Sequence, residues 1–170
     1  IPAADLEAIQ YGTITKLTFY ANADKDWGDA EFEVYMTETD ETTLSGLADY
    51  DTMEKVMNAG SLSISGNKME VTLDAPYQYL GGNLMIGFLQ TTSGTWGSCG
   101  WYGVGADSGA SYGGYGSSVI AKSFLPKMTV DYTPGEAPAV LRPTGLTVNY
   151  TGGTTAEVSW TSNEIEIGRA

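Results

Sequence analysis

Hydrophobic and polar residues alternate with a period of two along most of the chain, as they do in β-strands with one buried face. Within residues 31–38, for example, Val34 is expected to face the core and Tyr35 the solvent. Residues 83–90 are apolar on both faces, which predicts a central strand covered on both sides. The alternating segments are 14–21, 31–38, 61–65, 69–75, 118–124 and 127–133.

Helical composition is confined to residues 5–12 and 48–60, and the second segment equally fits a turn followed by a strand around Val56. Turn-forming residues separate the other segments, and the chain shows no strand–helix–strand alternation. About eight short strands of this kind predict an all-β fold, a jelly-roll-like antiparallel β-sandwich.

The pattern breaks at residues 133–145, where three prolines and two glycines occur without a periodic apolar face. Such a composition is typical of a linker. Beyond it the alternation resumes in two short runs joined by a Gly-Gly turn, which predicts a β-hairpin. The predicted organisation is a sandwich over residues 1–133, a linker over 134–143 and a separate segment over 144–170.

The net charge is strongly negative, with 8 basic against 21 acidic residues and a formal charge of −13. Residues 1–58 hold 13 acids and 3 lysines, so −10 of this charge lies in the first third. A phosphate backbone would be repelled, which argues against nucleic acid as a partner. The acidic end fits either a solvated face or attraction of cations.

The chain contains one cysteine, Cys99, and no histidine. An internal disulfide framework, a cysteine-rich metal site and histidine-dependent catalysis are therefore excluded. Cys99 has no cation beside it in sequence and is interpreted as a plain small residue. No apolar run reaches the roughly 18–20 residues of a membrane-spanning helix, so no membrane span is predicted.

Residues 91–118 combine many glycines with aromatic side chains and almost no charge. Sugars stack on exposed aromatic rings, so this stretch is the candidate ligand-binding surface. In the alternative interpretation, Trp101 and its neighbour Tyr102 belong to the core and the glycines form turns. The candidate ligand-binding residues are Trp96, Trp101, Tyr102, Tyr112 and Tyr115.

Three carboxylates, Asp24, Asp26 and Asp29, cluster within the segment ANADKDWGDAE. Calcium prefers oxygen ligands, so a structural calcium ion is the one cofactor that the sequence leaves open. The spacing lacks the full calcium-loop pattern, and the alternative is an acidic hairpin turn with Trp27 folded over it. Glycoside hydrolysis needs two opposed carboxylates, but Asp107 is the sole acid in the aromatic stretch, so no enzyme is predicted.

The segment LRPTGLTVNYTGGTTAEVSWTSNE (141–164) resembles the opening of a fibronectin type III domain. The features that carry the resemblance are Pro143, Leu146, Val148, Ala156, Val158 and Trp160. A complete domain of this family needs about 90 residues. The resemblance therefore implies a truncated neighbour within a longer modular protein.

Residues 13–133 look like the β-sandwich modules of surface and secreted proteins from Gram-negative gut and oral bacteria. The most specific match is the unit LDAPYQYLGGNLMI (73–86), and three other stretches carry the rest. Those three are ITKLTFYA (14–21), EFEVYMTET (31–39) and MEKVMNAGSLSI (53–64). The family is jelly-roll-like, similar to galactose-binding-type and cleaved-adhesin domains, and often adjoins fibronectin repeats.

The resemblance implies a non-catalytic binding or adhesion module of an exported protein, located extracellularly or at the cell surface. Its expected partners are a glycan, a host or bacterial surface protein, and the neighbouring domains of a longer chain. Two alternatives stay open: a carbohydrate-binding accessory module of a glycan-degrading system, and a structural spacer. The first predicts that Trp96, Tyr112 and Tyr115 are exposed on one surface, and the second that these rings are buried.

Overall fold

The computed structural model describes residues 1–115, 118–138, 144–152 and 155–161. Its helical segments are three short 3-10 turns, Ala3–Asp5, Glu7–Ile9 and Tyr50–Thr52. Its strands are β1 Thr13–Tyr20, β2 Lys25–Asp26, β3 Glu31–Thr39, β4 Glu54–Gly60, β5 Ser63–Ile64, β6 Lys68–Gln78, β7 Asn83–Thr92, β8 Gly103–Gly105, β9 Ser111–Tyr115, β10 Ser118–Lys122, β11 Phe124–Pro126, β12 Met128–Thr133, β13 Thr144–Gly152 and β14 Thr155–Thr161. The predicted all-β class is confirmed, and the region around Val56 is a turn followed by a strand.

Two three-stranded antiparallel sheets, β12-β1-β6 and β4-β3-β7, share one hydrophobic core. Side chains that point inward from these strands form the core. Leu17 of β1, Val34 of β3 and Val71 of β6, for example, are fully buried. The Phe19 ring meets the Phe88 ring of the other sheet edge-on, with centroids 5.5 Å apart. The described residues of these two sheets therefore form a sandwich-like arrangement.

Different contacts are made at the two edges of the β4-β3-β7 sheet. Beside β4, the Asp74 carboxylate of β6 accepts hydrogen bonds from the Asn58 backbone N–H (2.8 Å) and side-chain amide (3.0 Å). At the β7 side, the N-terminal segment pairs with that strand, since the Leu84 N–H donates to the Ile1 carbonyl at 2.9 Å. The following 3-10 turns place Leu6 and Ile9 in the core.

Proline lacks the N–H that a strand ladder uses and is therefore expected to end a strand, but Pro76 does not end β6. Strand β6 continues to Gln78 through an irregularity opposite β1, where the pairing moves from Lys16↔Thr72 to Ile14↔Tyr77. Four residues of β6 face a single residue of β1 across this bulge. Because the bulged residues are out of the ladder, the missing N–H of proline disrupts no regular pairing there.

The outer face of the β4-β3-β7 sheet differs from the prediction in two respects. Tyr35 is buried rather than exposed, because the Tyr50 ring lies over it with centroids 5.0 Å apart. Tyr50 also donates a 3.1 Å hydrogen bond to the Phe88 carbonyl and so covers the outside of β7. Strand β7 is thus covered on both faces as predicted, but among the described residues it is an edge strand and not a central one.

Strands β8 to β11 form two consecutive antiparallel pairs, which we call the arm. Its base is the β8–β11 pair and its outer part is the β9–β10 pair. Between them, residues 106–110 leave the ladder, and the Gly109 carbonyl accepts a 2.8 Å hydrogen bond from the Leu44 N–H. The arm carries two exposed apolar side chains, Val104 and Ile120.

The chain divides into two units, Ile1–Glu136 and Ala137–Ala170. In the second unit, β13 and β14 pair as an antiparallel hairpin, with Val148 opposite Val158. The predicted pair of strands is thus present in the tail. Residues 139–143 of the predicted linker, Pro143 among them, lie outside the described residues.

The turn between β6 and β7 is hydrogen-bonded to the side chain of Glu38 in β3. Its carboxylate accepts hydrogen bonds from the backbone N–H groups of Leu80, at 2.7 Å, and Gly82. Tyr79, which is fully buried, donates to the Gly82 carbonyl at 2.8 Å. Tyr77 is also buried, so these two tyrosines belong to the core and do not line a ligand cleft.

Replacing Glu38 by Ala should lower the free energy of unfolding by about 2–3 kcal/mol, because two hydrogen bonds to a charged acceptor are lost and two backbone donors are left without a partner. Asp40→Ala is the matched control: Asp40 is an exposed acid two residues further on, and its loss should cost less than about 0.5 kcal/mol. Urea unfolding of both variants measures the difference. Equal stability losses would contradict the role given to Glu38.

Stability should fall as the pH rises from about 10 to 12, because burial, with the charges of Glu38 and Glu54, raises the pKa of Tyr77 to about 12. The unfolded chain loses this proton near pH 10 and the folded chain only near pH 12, so alkali favours unfolding in that window. Tyr77→Phe should reduce the loss. Urea unfolding at a series of pH values tests this, and an unchanged slope in the variant would contradict it.

Candidate functional site

The aromatic segment, residues 93–102, connects β7 to β8 and lies along residues 20–30 of the chain. Between Ser93 and Gly100 it forms neither a turn nor a strand, yet backbone hydrogen bonds fix it at several points. The Thr95 N–H donates to the Trp27 carbonyl at 2.7 Å, and the Tyr102 N–H donates to the Tyr20 carbonyl at 2.8 Å. The segment is therefore an anchored part of the surface.

A third anchor lies at Asn22, which bonds the segment twice. Its N–H donates to the Gly100 carbonyl at 2.9 Å, and its side-chain oxygen accepts the Gly100 N–H at 3.0 Å. Trp27 supplies a fourth anchor, because its indole N–H donates to the Gly97 carbonyl at 3.1 Å. The Trp27 ring itself packs edge-on against Phe32, with centroids 6.0 Å apart.

Glycine occupies every third position of this stretch, at residues 94, 97, 100 and 103. At each position a Cβ atom would collide with a neighbour across the contact. Backbone atoms of Trp27 and Ala30 block Gly94, the Lys25 side chain blocks Gly97, and the Leu125 carbonyl blocks Gly103. At Gly100 the Cβ would lie 2.7 Å from the Asn22 amide nitrogen. These glycines allow the backbone of the segment to lie close to the neighbouring residues.

The residues between the glycines are displayed to different degrees. Trp96 is 87% exposed, far more than any other described aromatic side chain, whereas Trp101 is half-buried with its ring edge-on to Phe19 at 6.4 Å. Tyr102 is 51% exposed, and Tyr112 is half-buried on β9 of the arm. The side chain of Tyr115 lies outside what the structure describes. The predicted aromatic residues thus occupy different environments: Trp101 packs against the core, in agreement with the alternative interpretation, whereas Tyr102 is exposed and does not.

Tyr102 borders an apolar groove of about 760 Å³ that sequence analysis did not find. The groove lies between the N-terminal 3-10 turns, the base of the arm and β12. It is lined by Ile1, Asp5, Leu6, Ile9, Tyr102, Gly103, Val104, Leu125, Pro126, Lys127, Met128 and Val130. These residues come from three distant parts of the chain, so no local pattern could have identified the groove.

Two of the three predicted calcium ligands are engaged with the backbone. Asp24 accepts the Asn67 N–H at 2.7 Å, and Asp26 accepts the Gly28 N–H at 2.8 Å in a tight turn where Gly28 has a φ of 63°. Among the described residues no three carboxylate, cysteine or histidine side chains are grouped so that they could hold a metal ion. The calcium hypothesis therefore gains no support from this loop, which has the form of an acidic turn next to Trp27.

Cys99 is half-buried within the aromatic segment. Burial raises the pKa of its thiol, and the charge of Lys25 opposes this shift only in part. A thiol with a raised pKa is a weak nucleophile at neutral pH. The structure thus gives Cys99 the packing role that its sequence context predicted.

Comparison with protein-family models, with curated proteins and with solved structures found no match to this chain. No helix in the described ranges is both long and apolar enough to cross a membrane. The site must therefore be interpreted from its own chemistry, and its outstanding feature is an exposed tryptophan on an anchored segment.

Gly94→Ala should destabilise the protein by about 2–3 kcal/mol, because its Cβ would collide with backbone atoms that cannot move aside independently. Gly105→Ala is the matched control, since a Cβ there has no neighbour within 4 Å. Its effect should stay below about 0.5 kcal/mol. Chemical denaturation compares the two, and a tolerated Gly94→Ala would mean that the segment is not held by close contact.

Proposed function

We propose that this chain is a non-catalytic binding module of an exported bacterial surface protein and that it binds its partner through Trp96. The observation that carries the proposal is the 87% exposure of Trp96 on a segment anchored on both sides of it. A fully exposed indole leaves a large apolar surface in water, which is unfavourable unless a partner covers it.

Anchoring matters because binding to a mobile loop would cost the entropy of ordering that loop. Thr95 and Gly97, the residues flanking Trp96, are each hydrogen-bonded to Trp27. The backbone that presents the indole is thus positioned before a partner arrives. Tryptophan is among the residues that most often dominate binding energy at protein surfaces.

The non-catalytic assignment is supported by the chemistry of the groove. Asp5 is the one carboxylate among its lining residues, whereas most glycosidases use two acids on opposite sides of the bond. The nearby Lys127 is positioned over the Tyr20 ring, with its ammonium 4.6 Å from the centroid.

A carbohydrate-binding accessory module is the second candidate, and the surroundings of Trp96 favour it. Ser98, two residues after Trp96, is exposed and offers a hydroxyl group to a sugar. A structural spacer predicts buried rings, and the exposure of Trp96 speaks against it. The jelly-roll topology, the fibronectin-like tail and the extracellular location remain part of the proposal and rest on the resemblance of residues 73–86 and 141–164.

Trp96→Ala should reduce binding to the cognate surface at least about tenfold, because the exposed indole contributes most of the buried apolar contact. Leu47→Ala is the control, since Leu47 is 55% exposed and lies outside the aromatic segment. The measurement is retention on a glycan array and on immobilised host and bacterial surface proteins, with thermal unfolding to confirm that both variants fold. Equal retention of Trp96→Ala and wild type would refute the proposed site.

A further inference from the structure

We propose that the Trp96 site recognises an acidic sugar, a uronic or sialic acid residue, whose ring stacks on the indole and whose carboxylate pairs with Lys25. This inference rests on the proposed binding function and specifies its ligand class. It is carried by the position of Lys25, by the absence of a partner for its ammonium among the residues that the structure describes, and by the hydrogen bonds of the neighbouring acids to the backbone.

Lys25 lies directly against the aromatic segment. Its strand, β2, pairs with β5, placing Lys25 opposite Ile64. From there the side chain extends along Gly97, the residue that follows Trp96, so that its Cδ, Cε and Nζ atoms are those that a Cβ at Gly97 would meet. The ammonium group thus lies against the backbone of Gly97, one residue from the exposed Trp96. The missing side chain of Gly97 leaves the space that the lysine occupies.

The Lys25 ammonium has no ion pair, hydrogen bond or aromatic ring as a partner within the described ranges. Three other lysines of the same unit are engaged: Lys16 pairs with Glu70 at 3.0 Å, Lys55 with Glu33 at 2.6 Å, and Lys127 lies over Tyr20. Lys68 and Lys122 have no side-chain partner among the described residues either, so the feature that distinguishes Lys25 is its position against Gly97. Its charge is available to a ligand.

The acids on either side of Lys25 are directed elsewhere. Asp24 accepts the Asn67 N–H and Asp26 accepts the Gly28 N–H, as described above. Within β2, successive side chains point to opposite faces, which separates Lys25 from Asp26. Lys25 is the side chain whose atoms a Cβ at Gly97 would meet first.

The chemistry of the site fits one class of ligand. An indole stacks on the apolar face of a sugar ring, and an ammonium group adjacent to it selects a ring that bears a carboxylate. Exposed Ser98 and Asn22 supply hydrogen-bonding groups for the hydroxyls. The overall charge of −13 does not prevent this, because at physiological ionic strength charges beyond about 8 Å are largely screened.

The test is calorimetric titration of the intact chain with two acidic ligands and their neutral counterparts. Tetragalacturonate is compared with its methyl ester, and 3′-sialyllactose with lactose, which distinguishes uronic from sialic acids. The variants are Lys25→Gln, Trp96→Ala and the control Lys68→Gln, an exposed lysine for which the described residues likewise provide no side-chain partner. Thermal unfolding confirms that each variant is folded.

We expect one acidic ligand to bind and its neutral counterpart to bind at least about tenfold more weakly, with Lys25→Gln removing this preference and Lys68→Gln leaving it intact. Raising the salt concentration should weaken the acidic ligand selectively. If Trp96→Ala abolishes binding while Lys25→Gln and esterification change nothing, the acidic-sugar inference fails and the binding function stands. If neither acidic ligand binds, the inference fails; the array experiment then decides the binding function separately.

Discussion

The contact of Phe19 with two other rings is the interaction on which the architecture depends. Phe88 meets it from the opposite sheet and Trp101 from the aromatic segment. One buried ring therefore joins both layers of the sandwich to the end of the segment that displays Trp96. Burial of rings is nondirectional and strong, so it can hold a segment that lacks secondary structure of its own.

Sequence patterns predicted the long strands β1, β3, β6 and β7 of the two main sheets, because strands of eight to eleven residues are long enough to display a pattern. Burial alternates with a period of two through residues 68–73 of β6, whereas β1 and β3 each contain three consecutive buried residues. Short strands such as β2 and β8 escaped prediction, since two or three residues cannot display a period. The outward burial of Tyr35 was also hidden, because its cover, Tyr50, comes from a turn 15 residues further along the chain.

The candidate site was predictable in part. Glycine and aromatic residues marked the right stretch, and local composition also allowed Trp101 to be either core or surface. Which tryptophan is displayed depends on the path of residues 20–30 beneath the segment, which no local pattern reports. The position of Lys25 depends on the same path, so its relation to Gly97 became visible only in three dimensions.

The three-residue glycine repeat has a consequence for sequence variation. Gly94 faces backbone atoms of Trp27 and Ala30, and Gly103 faces the Leu125 carbonyl, so these two positions carry the strongest structural constraint, whereas Gly97 and Gly100 face the side chains of Lys25 and Asn22. Trp96 and Ser98 are exposed between them, and none of the hydrogen bonds that anchor the segment within the described residues uses their side chains. A surface built in this way can change what it recognises by substitution at the intervening positions, while the glycines keep the backbone in place.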